Sequence, residues 1–208
     1  MKKRILCYGD SNTWGYDPIS GGRYDEDARW PMRLQALLGD GWRVAEEGLN
    51  GRTITQDDPT EGGYKSGLAH LPPILQSHLP LDAVAVMLGT NDCKARFNLS
   101  AEVIGMGMGQ LVKLIRQYAP EAEILLIAPA AIGDGVTETL MGPYFGQTAA
   151  ETSRGIAREY LRLSKLMRTG FLDAGRVCRA SDADCVHLTR EGHAALAEAV
   201  ANQIIMLF

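Results

Sequence analysis

Cysteine is scarce in this chain of 208 residues: Cys7, Cys93, Cys178 and Cys185, with no CxxC pair among them. Without an export signal they are expected to be reduced thiols. Long apolar runs are also missing. No stretch approaches the roughly 18 uncharged residues needed to span a bilayer. The positive start Met1-Lys2-Lys3-Arg4 is followed by only Ile5-Leu6-Cys7-Tyr8, too short for a signal peptide, so the expected address is cytoplasmic. A basic excess is absent as well, with 21 Lys and Arg against 25 Asp and Glu, a net charge of −4 and a pI near 5.6. Neither nucleic acid nor an anionic membrane is therefore an expected partner. There is no internal repeat, low-complexity linker or charge block.

What is present is an ordinary soluble composition, 46% hydrophobic and 22% charged, with mean hydropathy −0.10. That excludes disorder, collagen and coiled coil. The length points to one domain over 1–208, burying about 70% of its unfolded surface without a disulfide or metal.

Short apolar runs at Arg4–Tyr8, Ala83–Leu88 and Ile124–Ala128, with a weaker one at Phe171-Leu172, read as strands buried on both faces. Trp42–Glu46 alternates apolar and polar, as an edge strand does. Helical patterns lie between them. One opens at Pro31, carries Leu34, Leu37 and Leu38, and stops at Gly39. A second is capped by Ser100 and ended by Pro120. A third starts at Thr148, whose spacing to Glu151 matches a capping box, and carries Ile156, Tyr160, Leu163 and Met167. The last begins at Thr189, with Leu196, Val200 and Ile204 inward. Gly105 and Gly109 share a helix face and read as close helix–sheet packing. Strand–helix alternation implies an α/β fold, a five-stranded parallel sheet with helices on both faces. The irregular segments Asn12–Tyr24 and Ala130–Gln147 are long enough to be pocket walls.

In such a sheet ligands bind beyond the carboxyl ends of the strands. Four polar clusters leave those ends: Gly9-Asp10-Ser11, Gly48-Leu49-Asn50-Gly51, Gly89-Thr90-Asn91-Asp92 and Asp184-Cys185-Val186-His187. Gly9 would let the backbone turn sharply and lift the Ser11 hydroxyl above the sheet edge. A serine needs a base, and His187 has a carboxylate three residues before it, Asp184, to fix its tautomer. Donors for an oxyanion come from the backbone N–H groups of Ser11 and Gly51 and the side-chain amide of Asn91. Together these parts describe acyl transfer on a small-molecule ester.

The four blocks, in this order, resemble those of the SGNH, or GDSL-like, hydrolases, whose site residues fall here on Ser11, Gly51, Asn91 and His187. Longer segments, Arg4–Gly15, Glu46–Thr53, Asp57-Asp58-Pro59, His78–Asp82 and Met87–Asp92, resemble the bacterial arylesterase and acyltransferase branch. That resemblance implies a flavodoxin-like three-layer sandwich, hydrolysis of short acyl esters, acyl transfer to alcohols, no metal or other cofactor, and a homo-oligomer.

Trp14, Tyr144 and Phe145 are candidate walls of an aromatic acyl or alcohol pocket. Asp10, read as an acceptor of backbone N–H bonds, and Asp92, read as a turn former that orients Asn91, stand with them as substrate-binding candidates. His193 competes weakly with His187 and otherwise reads as packing, like His70 and His78. Cys185 reads as a small inward residue, with a redox role as the rival reading. Asp57-Asp58-Pro59 reads as a solvated turn. The nearest rival function is a carbohydrate O-acetyl esterase. A metallophosphoesterase built on Asp10, Asn91, Asp92 and His187 is remote, because paired ions need more ligands than four scattered histidines offer.

Overall fold

The runs Ile5–Tyr8, Ala83–Met87 and Ile124–Ala128 are buried on both faces, so their backbone groups must pair with neighbouring strands in one parallel sheet. Phe171-Leu172, expected to be buried likewise, is only half-buried at a sheet edge. The computed structural model describes residues 2–208. In chain order it contains β1 (Lys3–Gly9), α1 (Ser11–Trp14), α2 (Trp30–Leu38), β2 (Trp42–Gly48) and α3 (Gly67–His78). Then come β3 (Ala83–Met87), α4 (Ala101–Tyr118), β4 (Glu123–Ala128), α5 (Gly142–Phe145), α6 (Ala149–Met167), β5 (Gly170–Asp173) and α7 (Arg190–Leu207). The strands lie in the order β2-β1-β3-β4-β5, all parallel, with β2 at one edge as its alternation predicts. This is the flavodoxin-like doubly wound order, whose switch point lies between β1 and β3.

Alternate strand residues feed two cores. Leu6, Tyr8, Val84, Val86 and Leu126 pack on one face beneath Leu71 and Leu75 of α3, Ile104, Met108 and Leu111 of α4, and Ile156 and Tyr160 of α6. Ile5, Cys7, Ala85, Leu125 and Ile127 pack on the other, against Trp30 and Leu34 of α2 and Leu196, Val200 and Ile204 of α7. Each such fully buried aliphatic side chain contributes roughly 1.5–3 kcal/mol, which makes the sheet a rigid platform for the loops at its carboxyl edge.

Several local expectations are corrected. Helix α3 carries no clear helical signal in the sequence, because Pro72 and Pro73 lie inside it. Thr148 precedes α6 in helical backbone conformation and its side chain caps nothing, so the Thr148–Glu151 capping box does not form. Ser100 and Thr189 do cap α4 and α7, accepting from the N–H groups of Val103 and Gly192. The glycines of α4 serve helix–helix contact instead of helix–sheet contact. A Cβ on Gly105 would lie 3.0 Å from Glu159 Cβ, and one on Gly109 3.4 Å from Leu163 Cδ1, both on α6.

Candidate active site

Ser11 opens α1 immediately after β1, with Asp10 as the cap that accepts the Asn12 N–H at 2.9 Å. Gly9 is required here for space and not for an unusual dihedral angle. A Cβ on it would collide with the Thr13 side chain and come within 2.8 Å of the Met87 carbonyl oxygen. The sharp turn expected at Gly9 is made by the Asp10 cap. A Cβ on Gly48 would likewise run into the Trp14 backbone, so the end of β2 supports the other side of the helical turn.

Asp184 and His187 lie in the loop between β5 and α7. Despite 176 residues of separation, His187 Nε2 is 2.9 Å from Ser11 Oγ, and its Nδ1 is 2.6 Å from Asp184 Oδ2. Asp184 Oδ1 accepts the N–H groups of Val186 and His187, each at 2.9 Å. Burial alone raises the Asp184 pKa, but the hydrogen bond and charge of His187 and the backbone donors outweigh it and hold the carboxyl below its ordinary value. The carboxylate thus stays ionised while it fixes the ring.

Two residues that the sequence reading missed complete this arrangement. Asn12 grips the chain on both sides of His187: its Nδ2 donates to Val186 O at 3.3 Å and its Oδ1 accepts from Leu188 N–H at 2.9 Å. The Tyr16 ring lies over the His187 ring with centroids 4.2 Å apart. The only available signal was position, since both sit within five residues of the serine.

Gly51 has φ +79, a left-handed conformation that suits glycine, and its N–H donates to no protein group among the described residues. The neighbouring Arg52 clamps this loop, with one guanidinium nitrogen donating to Gly9 O at 2.8 Å and Glu47 O at 2.5 Å. Asn91 follows Gly89, where φ is +125 and a Cβ would approach the Tyr160 hydroxyl to 2.9 Å. Asn91 Nδ2 donates to Arg52 O at 3.1 Å and stands 3.5 Å from Asp10 Oδ2. The three candidate oxyanion positions, Ser11, Gly51 and Asn91, border the same pocket as His187.

That pocket has a volume of about 210 Å³. Tyr144 and Phe145 line it as expected, joined by Tyr16, Met141 and Val186. Three substrate-binding candidates do not. Trp14 faces Arg23, whose guanidinium carbon is 5.1 Å from its ring centroid. Asp10 is buried beneath Ser11 and Asn91, and burial pushes its pKa up to about 6. Asp92 turns away, both oxygens accepting the Ile54 N–H at 3.0 and 3.1 Å, and burial pushes its pKa to about 7. Because Asp92 is spent on Ile54, it orients the Gly51 loop and does not serve as a ligand. No group of three or more His, Cys, Asp or Glu side chains suited to a metal ion occurs among the described residues.

Asp58 is also corrected. Far from a solvated turn, it is 1% exposed and paired with Arg96 and Lys94. His193 is packed as read: its Nδ1 accepts the Trp30 N–H at 3.3 Å, and burial lowers its pKa to about 4, which leaves it neutral. His78 pairs with Glu47 at 2.8 Å, and His70 lies against Tyr64; neither lines the pocket at Ser11. Cys185, at φ +62, faces Gly133 and Gly135 and its carbonyl accepts the Gly133 N–H at 2.8 Å. It ties the 130–147 segment to the Asp184 loop, as does Thr139 Oγ1, which donates to Asp184 O at 3.2 Å.

The model of the GDSL-like Lipase/Acylhydrolase family matches residues 7–195. The chain belongs to this family. Among solved structures, this GDSL-like hydrolase is similar to the native aryl esterase of M. smegmatis, with 35% identity and a TM-score of 0.93 over 99% of this chain and 100% of that one. A carbohydrate acetylesterase from Sinorhizobium meliloti matches with 35% identity and a TM-score of 0.91 over 100% of both chains. An acetylxylan esterase of Xylanibacter ruminicola is 31% identical over 117 residues, covering 54% of this chain and 22% of its own length. The chain therefore spans less than a quarter of that curated relative. Membership in the family and these full-length likenesses identify the protein as a hydrolase of the SGNH type. No helix among the described residues is long and apolar enough to cross a membrane.

Proposed function

We propose that this GDSL-like hydrolase is a serine esterase acting on short-chain acyl esters through an acyl-enzyme. The observation that carries the reading is the continuous relay from Asp184 through His187 to Ser11 Oγ, at 2.6 and 2.9 Å, opening on a pocket bordered by a Gly51 N–H without a partner among the described residues. His187 Nε2 takes the Ser11 proton as Oγ attacks the ester carbonyl. The developing oxyanion is held by the N–H groups of Ser11 and Gly51 and by the Asn91 amide N–H that Arg52 O does not engage, each worth about 10²–10³ in rate. Protonated His187 gives its proton to the departing alcohol. Water, activated by the same imidazole, then attacks the acyl carbon and frees Ser11; an alcohol in its place gives acyl transfer.

Aryl acetates and acetylated carbohydrates are the substrate classes that the full-length neighbours suggest. We read residues 1–208 as one catalytic domain, since both cores lie on the two faces of one sheet. We further read it as a cytoplasmic homo-oligomer. Support comes from its four free cysteines and from exposed apolar side chains such as Leu140 and Tyr144 near the pocket mouth.

Reaction with a fluorophosphonate tests the site. The reading expects one label per chain, on Ser11, with loss of hydrolysis of 4-nitrophenyl acetate, and no activity in Ser11→Ala or His187→Ala. A label elsewhere that abolishes turnover, or a Ser11→Ala protein that still hydrolyses the ester at the parent rate, overturns it.

A further inference from the structure

One wall of the pocket carries charge, which a hydrocarbon acyl or aryl group does not call for. Glu61 and Lys94 both line the cavity. The Lys94 side chain is 3% exposed, and its Nζ lies 2.5 Å from Glu61 Oε1 and 3.5 Å from Asp58 Oδ2. Arg96 bonds to Asp58 and, at 2.6 Å, to the same Glu61 Oε1. Two carboxylates and two cations cancel, so the cluster presents no net charge to the pocket. Burial by itself raises the Asp58 pKa, but the hydrogen bonds from Arg96 and Thr60 and the nearby Lys94 charge keep it below its ordinary value, so that carboxylate stays ionised.

The cluster is internally satisfied except at two points. Glu61 Oε1 receives both cations, whereas Oε2 accepts from no protein group among the described residues and stands beside Gly51, 2.5 Å from where a Cβ on that glycine would be. An ammonium has three N–H bonds, and two carboxylates engage only two of those on Lys94. A spare acceptor and a spare donor therefore border the cavity next to the Gly51 loop, with their charges already neutralised. A carboxylate in the substrate would meet Glu61 Oε2, and an ammonium would meet Lys94. A neutral hydroxyl both donates and accepts, so it suits the pair. A hydrocarbon of the same shape would displace water from both groups without replacing its hydrogen bonds, an unfavourable exchange.

Resting on the serine-esterase reading above, we propose that Glu61 and Lys94 are specificity-determining residues that hold a neutral hydroxyl of the substrate beside the oxyanion loop. They select hydroxylated esters over hydrocarbon esters of equal size. Tyr16, Tyr144 and Phe145 line the same cavity, and their aromatic carbon suits the C–H side of a cyclic alcohol.

The test is the ratio of kcat/KM for the monoacetates of 1,2-, 1,3- and 1,4-cyclohexanediol to that for cyclohexyl acetate. Each pair differs by one hydroxyl. The parent protein is expected to prefer at least one hydroxylated ester by about tenfold or more, the scale of one hydrogen bond to a charged group. Glu61→Gln and Lys94→Met are expected to bring that ratio to within about threefold of unity. Because the ratio is internal to one preparation, a smaller folded or active fraction does not move it. A parent ratio near unity for all three diol esters overturns the assignment without any variant. An undiminished preference in both variants overturns it as well. Hydrolysis of every ester without hydroxyl preference defeats only this assignment, whereas turnover that survives in Ser11→Ala defeats the esterase reading beneath it.

Discussion

Replacing Asp184 with Asn tests the relay with almost no change of shape, and the structure fixes which way the new amide must point. Oδ1 of Asp184 receives two backbone N–H groups, from Val186 and His187. Only an oxygen can remain there, so the amide nitrogen of the variant must occupy the Oδ2 position, facing His187 Nδ1. A donor at that point makes Nδ1 an acceptor and moves the ring proton to Nε2. Nε2 then presents N–H to Ser11 Oγ and cannot take its proton. The same tautomer error in a serine triad lowers kcat by about 10⁴, which corresponds to roughly 5 kcal/mol of transition-state stabilisation. Folding should change little, because both backbone bonds survive. The assay is kcat and KM for 4-nitrophenyl acetate beside the urea midpoint of unfolding. The reasoning expects kcat to fall by about 10³–10⁴ with KM within a few fold. A loss below about tenfold in a normally stable Asp184→Asn protein would refute the relay as described.

Asn12→Ala removes both bonds that hold the chain around His187 and should lower kcat about tenfold with a smaller effect on KM, as expected for one or two lost buried hydrogen bonds. An unchanged kcat in single-turnover measurements would count against its positioning role. His193 is neutral in the fold, its pKa lowered from 6.5 to about 4 by burial. Below pH 6.5 the unfolded chain takes up a proton that the folded chain refuses, so this group's share of stability is complete above pH 6.5 and declines as pH falls toward 4. The decline totals about 3 kcal/mol. Asp10 and Asp92, with raised pKa values, act in the opposite sense. The measurement is therefore the difference in unfolding free energy between the parent and His193→Gln from pH 7 to pH 4, which should shift against the parent. Gly9→Ala forces a Cβ into Thr13 and the Met87 carbonyl and should cost about 1–3 kcal/mol of stability, read as a lowered Tm together with lost turnover; full stability would mean that the turn after β1 is more yielding than described.

The central sheet was readable because Ile5–Tyr8, Ala83–Met87 and Ile124–Ala128 are buried on both faces and leave little room for polar residues. The four polar blocks at the strand ends were readable for a related reason: in a parallel sheet, chain order alone sends them to one edge. What could not be read depended on partners far away in sequence. Asp58 looks like any acidic turn residue until Arg96, 38 residues on, folds against it. Trp14 and Asp92 sit beside site residues, yet the former is turned toward Arg23 and the latter toward Ile54, which no local pattern announces. Helix α3 hid behind its two prolines, and Thr148 shows that capping-box spacing does not ensure a cap. The demand for glycine at position 9 comes from the neighbouring strand and helix and not from its own backbone angles, which a sequence does not reveal.

Asn12 reaches across to the backbone carbonyl of Val186 and the backbone N–H of Leu188. This has a consequence for the life of the protein. The catalytic apparatus does not exist until the loop between β5 and α7 has come back to meet α1, so an emerging chain can carry a finished sheet and still be inert. The dependence runs in reverse under mild chaotropes. Loops open by local fluctuations below the free energy of global unfolding, and an opening of the loop that carries His187 separates base from nucleophile while circular dichroism still reports a native signal.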